Sequence, residues 1–383
     1  MSFDFDRPIN RRESDSFKWQ ACHGRDVLPL WVADMDFASP PCVVRALRER
    51  VEQEVFGYPV ATDQVNQAVV GWAASRYGWR IEPEWLVWLP GLVPGLHLAC
   101  LAYAAAGEDV LTCVPVYPPF LSAPVATGRN LQTVPLVRPR GRWAMDLDAL
   151  AGALTPQTRL LLFCHPHNPV GRAFERDELS ALAAVVRRHP NLVVCSDEIH
   201  CDLVLAPRQH IPFASLDDEI RDRTVTLMSP AKTFNTPGLH CGFAVIPNRD
   251  LRRRFRSAAH GLVPQPNLFG FAACRAAYEE GESWRLALLD YLRGNRDFLA
   301  AFVAERLPMF SMSPVEATYL AWLDTRWLGP RNTAAFFEAA GVKLSDGAEF
   351  HGSGYMRLNF GCPRATLEQA LERLERAVAK LGL

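Results

Sequence analysis

The residue in this sequence best placed for covalent chemistry is Lys232. An apolar strand, Thr224-Val-Thr-Leu-Met228, stops at Ser229-Pro230, and Lys232 follows at once. Pro237 and Gly238 then keep the chain irregular until a second apolar strand begins near Phe243. A lysine hemmed in by small and apolar groups loses hydration. That lowers its pKa and leaves a nucleophilic amine able to form a Schiff base with a carbonyl compound. Taken alone, the same position also describes a loop lysine in solvent. Asp197 closes another apolar strand, Leu192-Val-Val-Cys-Ser196, where an unpaired carboxylate is costly. It calls for a cationic partner, or it caps a following helix. Arg357 lies mid-strand among apolar residues and needs an anion: either a substrate carboxylate gripped by both arms of the guanidinium or a buried structural salt bridge.

Together these groups fit one cofactor. Pyridoxal phosphate chemistry needs a Schiff-base lysine, an acid that keeps the pyridine nitrogen protonated, and a cup for the phosphate. Lys232 and Asp197 supply the first two. Gly91, Leu92 and Val93 occupy a strand-to-helix turn whose free backbone amides can hold a phosphate, and Ser229 and His240 can add donors. Tyr117, flanked by prolines, can lie over the ring or simply pack, and Asn168, between two prolines, can bond the ring oxygen or serve the turn. His165, His167, His200 and His240 with Cys164, Cys201 and Cys241 show no usual zinc spacing, so no metal is expected.

The chain must be large enough to position these parts. Its 383 residues exceed one simple core, so two domains are expected. We place a large cofactor-binding domain at 50–280, and a smaller α+β domain at 1–49 plus 281–383. A net charge of −1 argues against a nucleic-acid or anionic-membrane partner held by bulk electrostatics. No apolar run is long enough for a membrane span, and the polar start is no signal peptide, so a cytoplasmic protein is expected. The ten scattered cysteines fit mostly buried free thiols in a reducing compartment. From about 65 to 260, helix and strand alternate as in an open, mostly parallel α/β sheet, whose ligands bind at the carboxyl ends of the strands. Predicted strands include 86–89, 110–113, 159–163, 192–196, 318–323 and 355–360. Predicted helices include 96–106, 269–280, 284–306 and 365–380. Residues 27–37 read as an extended arm, Ser39 as a helix cap, and Val55-Phe-Gly-Tyr-Pro59 as a loop presenting Tyr58.

The motifs Leu28-Pro-Leu-Trp-Val-Ala-Asp-Met-Asp-Phe37, Pro115-Val-Tyr-Pro-Pro-Phe120, His167-Asn-Pro-Val-Gly171, Ser196-Asp-Glu-Ile-His200, Ala231-Lys-Thr-Phe-Asn235 and Arg357-Leu-Asn-Phe-Gly-Cys362 run almost end to end. With them the chain resembles fold-type I pyridoxal phosphate enzymes of the aminotransferase class. More narrowly it resembles the cystathionine β-lyase-like C–S lyases of the MalY/PatB group. The Asp-Met-Asp-Phe arm and His200, where transaminases commonly carry tyrosine, point to the lyases. The resemblance implies Lys232 bonded to the cofactor, Asp197 on the pyridine nitrogen, Asn168 and His200 near the ring oxygen, and Tyr117 stacked on the ring. It also implies Arg357 on the substrate carboxylate and Tyr58 reaching the phosphate across a homodimer with shared active sites. Two positions depart from the commoner pattern, Ala231 for serine and His240 for an arginine or another phosphate donor. The implied activity is α,β-elimination of cystathionine or related S-substituted L-cysteines to thiol, pyruvate and ammonia. Its rivals are an aminotransferase acting on a small amino acid and a regulatory binding protein that keeps the fold.

Overall fold

A computed structural model describes residues 3–329 and 332–381. Thirteen strands are described: β1 (Leu28–Pro29), β2 (Leu86–Leu89), β3 (Asp109–Val114), β4 (Asn130–Pro135), β5 (Thr158–Cys164), β6 (Val193–Asp197), β7 (Thr224–Met228), β8 (Gly242–Val245), β9 (Ser311–Met312), β10 (Leu320–Asp324), β11 (Val342–Lys343), β12 (Ser345–Asp346) and β13 (Tyr355–Asn359). Seven form the main sheet in the order β2-β8-β7-β6-β5-β3-β4, parallel except for β8, which runs against both its neighbours. The chain therefore has the mostly parallel α/β sheet expected of the aminotransferase-like fold.

Both faces of this sheet are covered, which is why its strands read as apolar runs rather than alternations. Leu160 and Leu162 of β5 pack into one apolar core, and Leu161 and Phe163 pack into another on the opposite face. The helix Leu92–Tyr103 lies against the first face so closely that a Cβ on Gly95 would sit 3.1 Å from Leu89 and Leu227. A third core joins the arm around Leu30 and Met35 to the C-terminal elements around Leu320, Leu358 and Leu371. There β12-β13-β10-β9 form a small antiparallel sheet, in which Arg357 pairs with Trp322 and Ser345, and β1 pairs with β11 in parallel.

Three local readings need correction. Ser39 caps no helix: the helix Pro41–Val51 has Pro40 at its cap, and the Ser39 hydroxyl donates to the Asn235 carbonyl instead. The helix expected from residue 96 begins at Leu92, so Gly91, Leu92 and Val93 form its entry rather than a preceding loop. Thr318 takes a left-handed φ of 73° and bonds the Leu320 amide through its hydroxyl, which delays the start of β10 to Leu320. The polar first thirty residues also hold a short helix, Phe17–Gln20, capped by Ser16. All ten cysteines are buried and free, and no described helix is long and apolar enough to cross a membrane.

Candidate active site

The carboxyl ends of β2, β3, β5, β6 and β7 lie at one edge of the main sheet. Because β8 is reversed, its beginning lies there too, and residues 229–241 cross that edge as a single loop. This topology gathers residues distant in sequence around one pocket of about 170 Å³. Gly91, Leu92, Val93, Tyr117, Asn168, Asp197, His200, Ser229, Lys232 and His240 all line it. Arg357 stands one hydrogen bond behind the wall, and Tyr58 is fully exposed on its loop, outside this pocket.

Burial sets the electrostatics. It pushes the Lys232 amine down to about 8, helped by the Arg357 charge and opposed by Asp34 and Asp197. The amine donates to the Ala33 carbonyl at 2.5 Å. The Asp197 carboxyl is pushed up to about 7, chiefly by burial. Its hydrogen bond from the Ile199 amide, at 3.1 Å, offsets only part of that, and it forms no ion pair among the described residues. A buried carboxylate in this state lacks a cation, which a protonated ring nitrogen would be. His200 is held neutral, its pKa pushed down to about 3 by burial and by Lys232 and Arg357, and its Nδ1 is buried without a partner.

Arg357 is buried and has no carboxylate within salt-bridge range among the described residues. It donates to Asn168 Oδ1 (3.1 Å), the Trp31 carbonyl (2.8 Å) and Ser345 Oγ (3.2 Å), and it lies over the Phe350 ring at 4.7 Å. Every partner is neutral, so its charge is uncompensated, and burial lowers its pKa to about 10. Since a guanidinium only donates, Asn168 must turn its oxygen to Arg357, which leaves the amide NH₂ as its donor for the pocket. Tyr117 follows β3 and is anchored by its own amide on the Asn168 carbonyl at 3.1 Å. Ser229 lines the pocket with its hydroxyl committed to the Cys241 carbonyl at 2.6 Å. His165 and His167 turn away, onto the carbonyls of Ile211 and Pro115. Among the described residues no cluster of three or more His, Cys, Asp or Glu could hold a metal ion.

The arm supplies a wall that residue types alone did not reveal. Asn235, three residues after Lys232, donates to the Met35 and Phe37 carbonyls. Asn359, two residues after Arg357, donates to those of Val32 and Asp34. The period of two in a strand puts Arg357 and Asn359 on one face, which is the signal that could have found Asn359. Asp34 and Asp36 are held by cations: Arg11 bridges both at 2.8 Å, and Lys18, buried, holds Asp36 at 2.7 Å.

The profile of the family described as aminotransferase class I and II matches residues 25–374. The chain belongs to this family. Among curated relatives of this aminotransferase-family chain, cystathionine β-lyase PatB of Bacillus subtilis (strain 168) is 36% identical, covering 98% of this chain and 100% of that protein. A crystal structure of OvoB superposes with a TM-score of 0.95 at 47% identity, over 98% of this chain and 99% of that one. The PLP-bound C–S lyase from Staphylococcus hominis superposes with a TM-score of 0.92 at 31% identity, over 98% of each chain.

Proposed function

We propose that this family member is a pyridoxal phosphate-dependent carbon–sulfur lyase that eliminates a thiol from cystathionine or related S-substituted L-cysteines. The observation that carries the reading is the placement of a desolvated lysine, a buried carboxylate without a cation and a buried guanidinium without an anion around one pocket. Relatives named for the same activity support it. When bound, the cofactor supplies an electron-withdrawing ring, conjugated to the substrate nitrogen, that stabilises charge left at Cα.

The chain's own residues do the rest. Amides of the Gly91–Val93 turn, at the start of a helix, hold the phosphate with His240, and Ser229 joins them once its hydroxyl turns from the Cys241 carbonyl. Asp197 stays ionised against the ring nitrogen, the Asn168 amide and His200 serve the ring oxygen, and Tyr117 covers the ring face. Arg357 takes the substrate carboxylate and thereby turns the Cα–H bond toward Lys232. Lys232 removes that proton onto Nζ, and the C–S bond at Cβ then breaks with its electron pair on sulfur. The thiolate then takes up a proton, the released enamine is hydrolysed by one water, and pyruvate, ammonia and thiol should appear from cystathionine without any keto acid and continue over many turnovers. A single turnover that resumes only when a keto acid is added would make the protein an aminotransferase.

The working unit in this reading is a homodimer. Val51, Val55, Phe56, Tyr58 and Val60 are all exposed on one segment, an apolar surface that a second copy would cover. Tyr58 then reaches the neighbouring phosphate. Tyr58→Phe should weaken cofactor retention about tenfold or more, the loss of one charged hydrogen bond, with the dimer intact by sedimentation. Mixed dimers of Tyr58→Phe and Lys232→Ala chains, assayed at limiting cofactor, should regain one working site of the two. No recovery would place the tyrosine in its own subunit.

A further inference from the structure

The Ala33 carbonyl accepts two hydrogen bonds, from Lys232 Nζ at 2.5 Å and from the Tyr319 hydroxyl at 2.9 Å. It cannot drift, because Asn359 grips the carbonyls on both sides of it, Val32 at 2.6 Å and Asp34 at 2.7 Å. Tyr319 is fully buried, its ring meeting His200 edge-on at 6.1 Å. We propose that the Ala33 carbonyl is the fixed station at which Lys232 holds its protonated amine during turnover, and that Tyr319 is the positioning residue that sets how tightly it is held. The inference rests on the reading of Lys232 as the base. In that step the Cα–H bond breaks, an N–H bond forms at Nζ, and the electron pair stays with the substrate.

A buried ammonium requires an acceptor, and the Ala33 carbonyl is the one that Lys232 Nζ bonds among the described residues. From the arm, Asp34 gives one oxygen to Arg11 at 2.8 Å, while its other oxygen, 3.6 Å from Lys18, is buried without a hydrogen bond and favours the charged lysine only through space. From the end of β6, Asp197, which this reading gives to the ring nitrogen, also favours the charge through space, whereas the Arg357 cation of β13 disfavours it and His200 is held neutral. The neutral carbonyl remains. Two donors on one oxygen weaken each other, so the tyrosine hydroxyl makes Ala33 a poorer acceptor for the ammonium and eases the return to the free amine.

The test uses full-length, cofactor-free protein. The sequence has four lysines, Lys18, Lys232, Lys343 and Lys380, so amine labelling with acetic anhydride across pH can be read at each by mass spectrometry. Tyr319→Phe should raise the labelling midpoint of Lys232 by about half a pH unit or more, and leave Lys380 unmoved. In the loaded enzyme the acid limb of the kcat profile should move the same way, with KM changing less than about twofold. Replacing Tyr319 by 3-fluorotyrosine, which keeps the shape and makes the hydroxyl a stronger donor, should lower the midpoint. That variant decides the matter if the phenylalanine form does not fold. An unmoved midpoint in either folded variant, with only a change in Tm, would overturn the proposal and leave Tyr319 a strut of the arm. A moved midpoint without any elimination would instead refute the lyase reading and leave the station standing.

Discussion

Lys232→Ala should abolish thiol release from cystathionine, with a loss of at least about 10⁴-fold, while the protein stays folded. Two functions disappear together. The alanine cannot bond the cofactor aldehyde, and no other described lysine lines the pocket to take its place. It also cannot accept the Cα proton, and in this reading the other candidates are spoken for: His200 is pushed down to about 3, Asp197 serves the ring and His240 the phosphate. Borohydride treatment followed by peptide mapping checks the first function, since the wild-type adduct should be trapped on Lys232 alone. A reducible adduct that persists in Lys232→Ala would sink the assignment. Folding should survive because the side chain's one recorded hydrogen bond is to Ala33, whose carbonyl keeps the Tyr319 hydroxyl.

Asp197→Asn should cut turnover by about 10²–10³-fold, yet stabilise the cofactor-free protein at neutral pH. The carboxyl sits near 7 in the folded chain against an ordinary value of 3.8. Between those values the folded form keeps its proton and the unfolded form loses it. The stability it contributes is therefore complete below about pH 4 and is lost as pH rises through 7. The difference corresponds to at most about 4 kcal/mol. Asparagine has no such titration, and neighbouring Glu198, also raised to about 7, is common to both proteins and cancels. Thermal melts of the two apo proteins should coincide near pH 4 and separate by pH 8 with the variant higher. Cofactor should stabilise the wild type more than the variant. Coincident melts at pH 8 would mean that Asp197 already has a cationic partner.

The residues that carry chemistry were legible because their types conflict with their surroundings. A lysine soon after Met228, an aspartate ending β6 and an arginine inside β13 each demand a partner, and the strand end before the lysine was marked by Pro230. Sequence left Arg357 open between a clamp and a salt bridge, and its neutral neighbours remove the salt bridge among the described residues. Ala33 was invisible for a physical reason: it acts through its backbone oxygen, which every residue possesses. Tyr319 was hidden because a tyrosine in an apolar segment is ordinary packing until its hydroxyl is traced. The acids of the arm drew notice as a motif, but their partners Arg11 and Lys18 lie in a stretch with no periodic pattern, so the clamp needed coordinates.

The arm's anchoring also has a consequence for how the protein is made. Residues 32–37 are tied by Asn235 and Asn359, and the Asp36 amide is tied to the Gly361 carbonyl. The arm leaves the ribosome early, and its last tether leaves near the end of translation. Between completion of β8 and the arrival of Asn359, Lys232 and Asp197 can meet on the finished sheet while one of the two tethers of the wall is still missing. The amine therefore gains its fixed resting place only when the 32–37 arm has met β13 and Gly361.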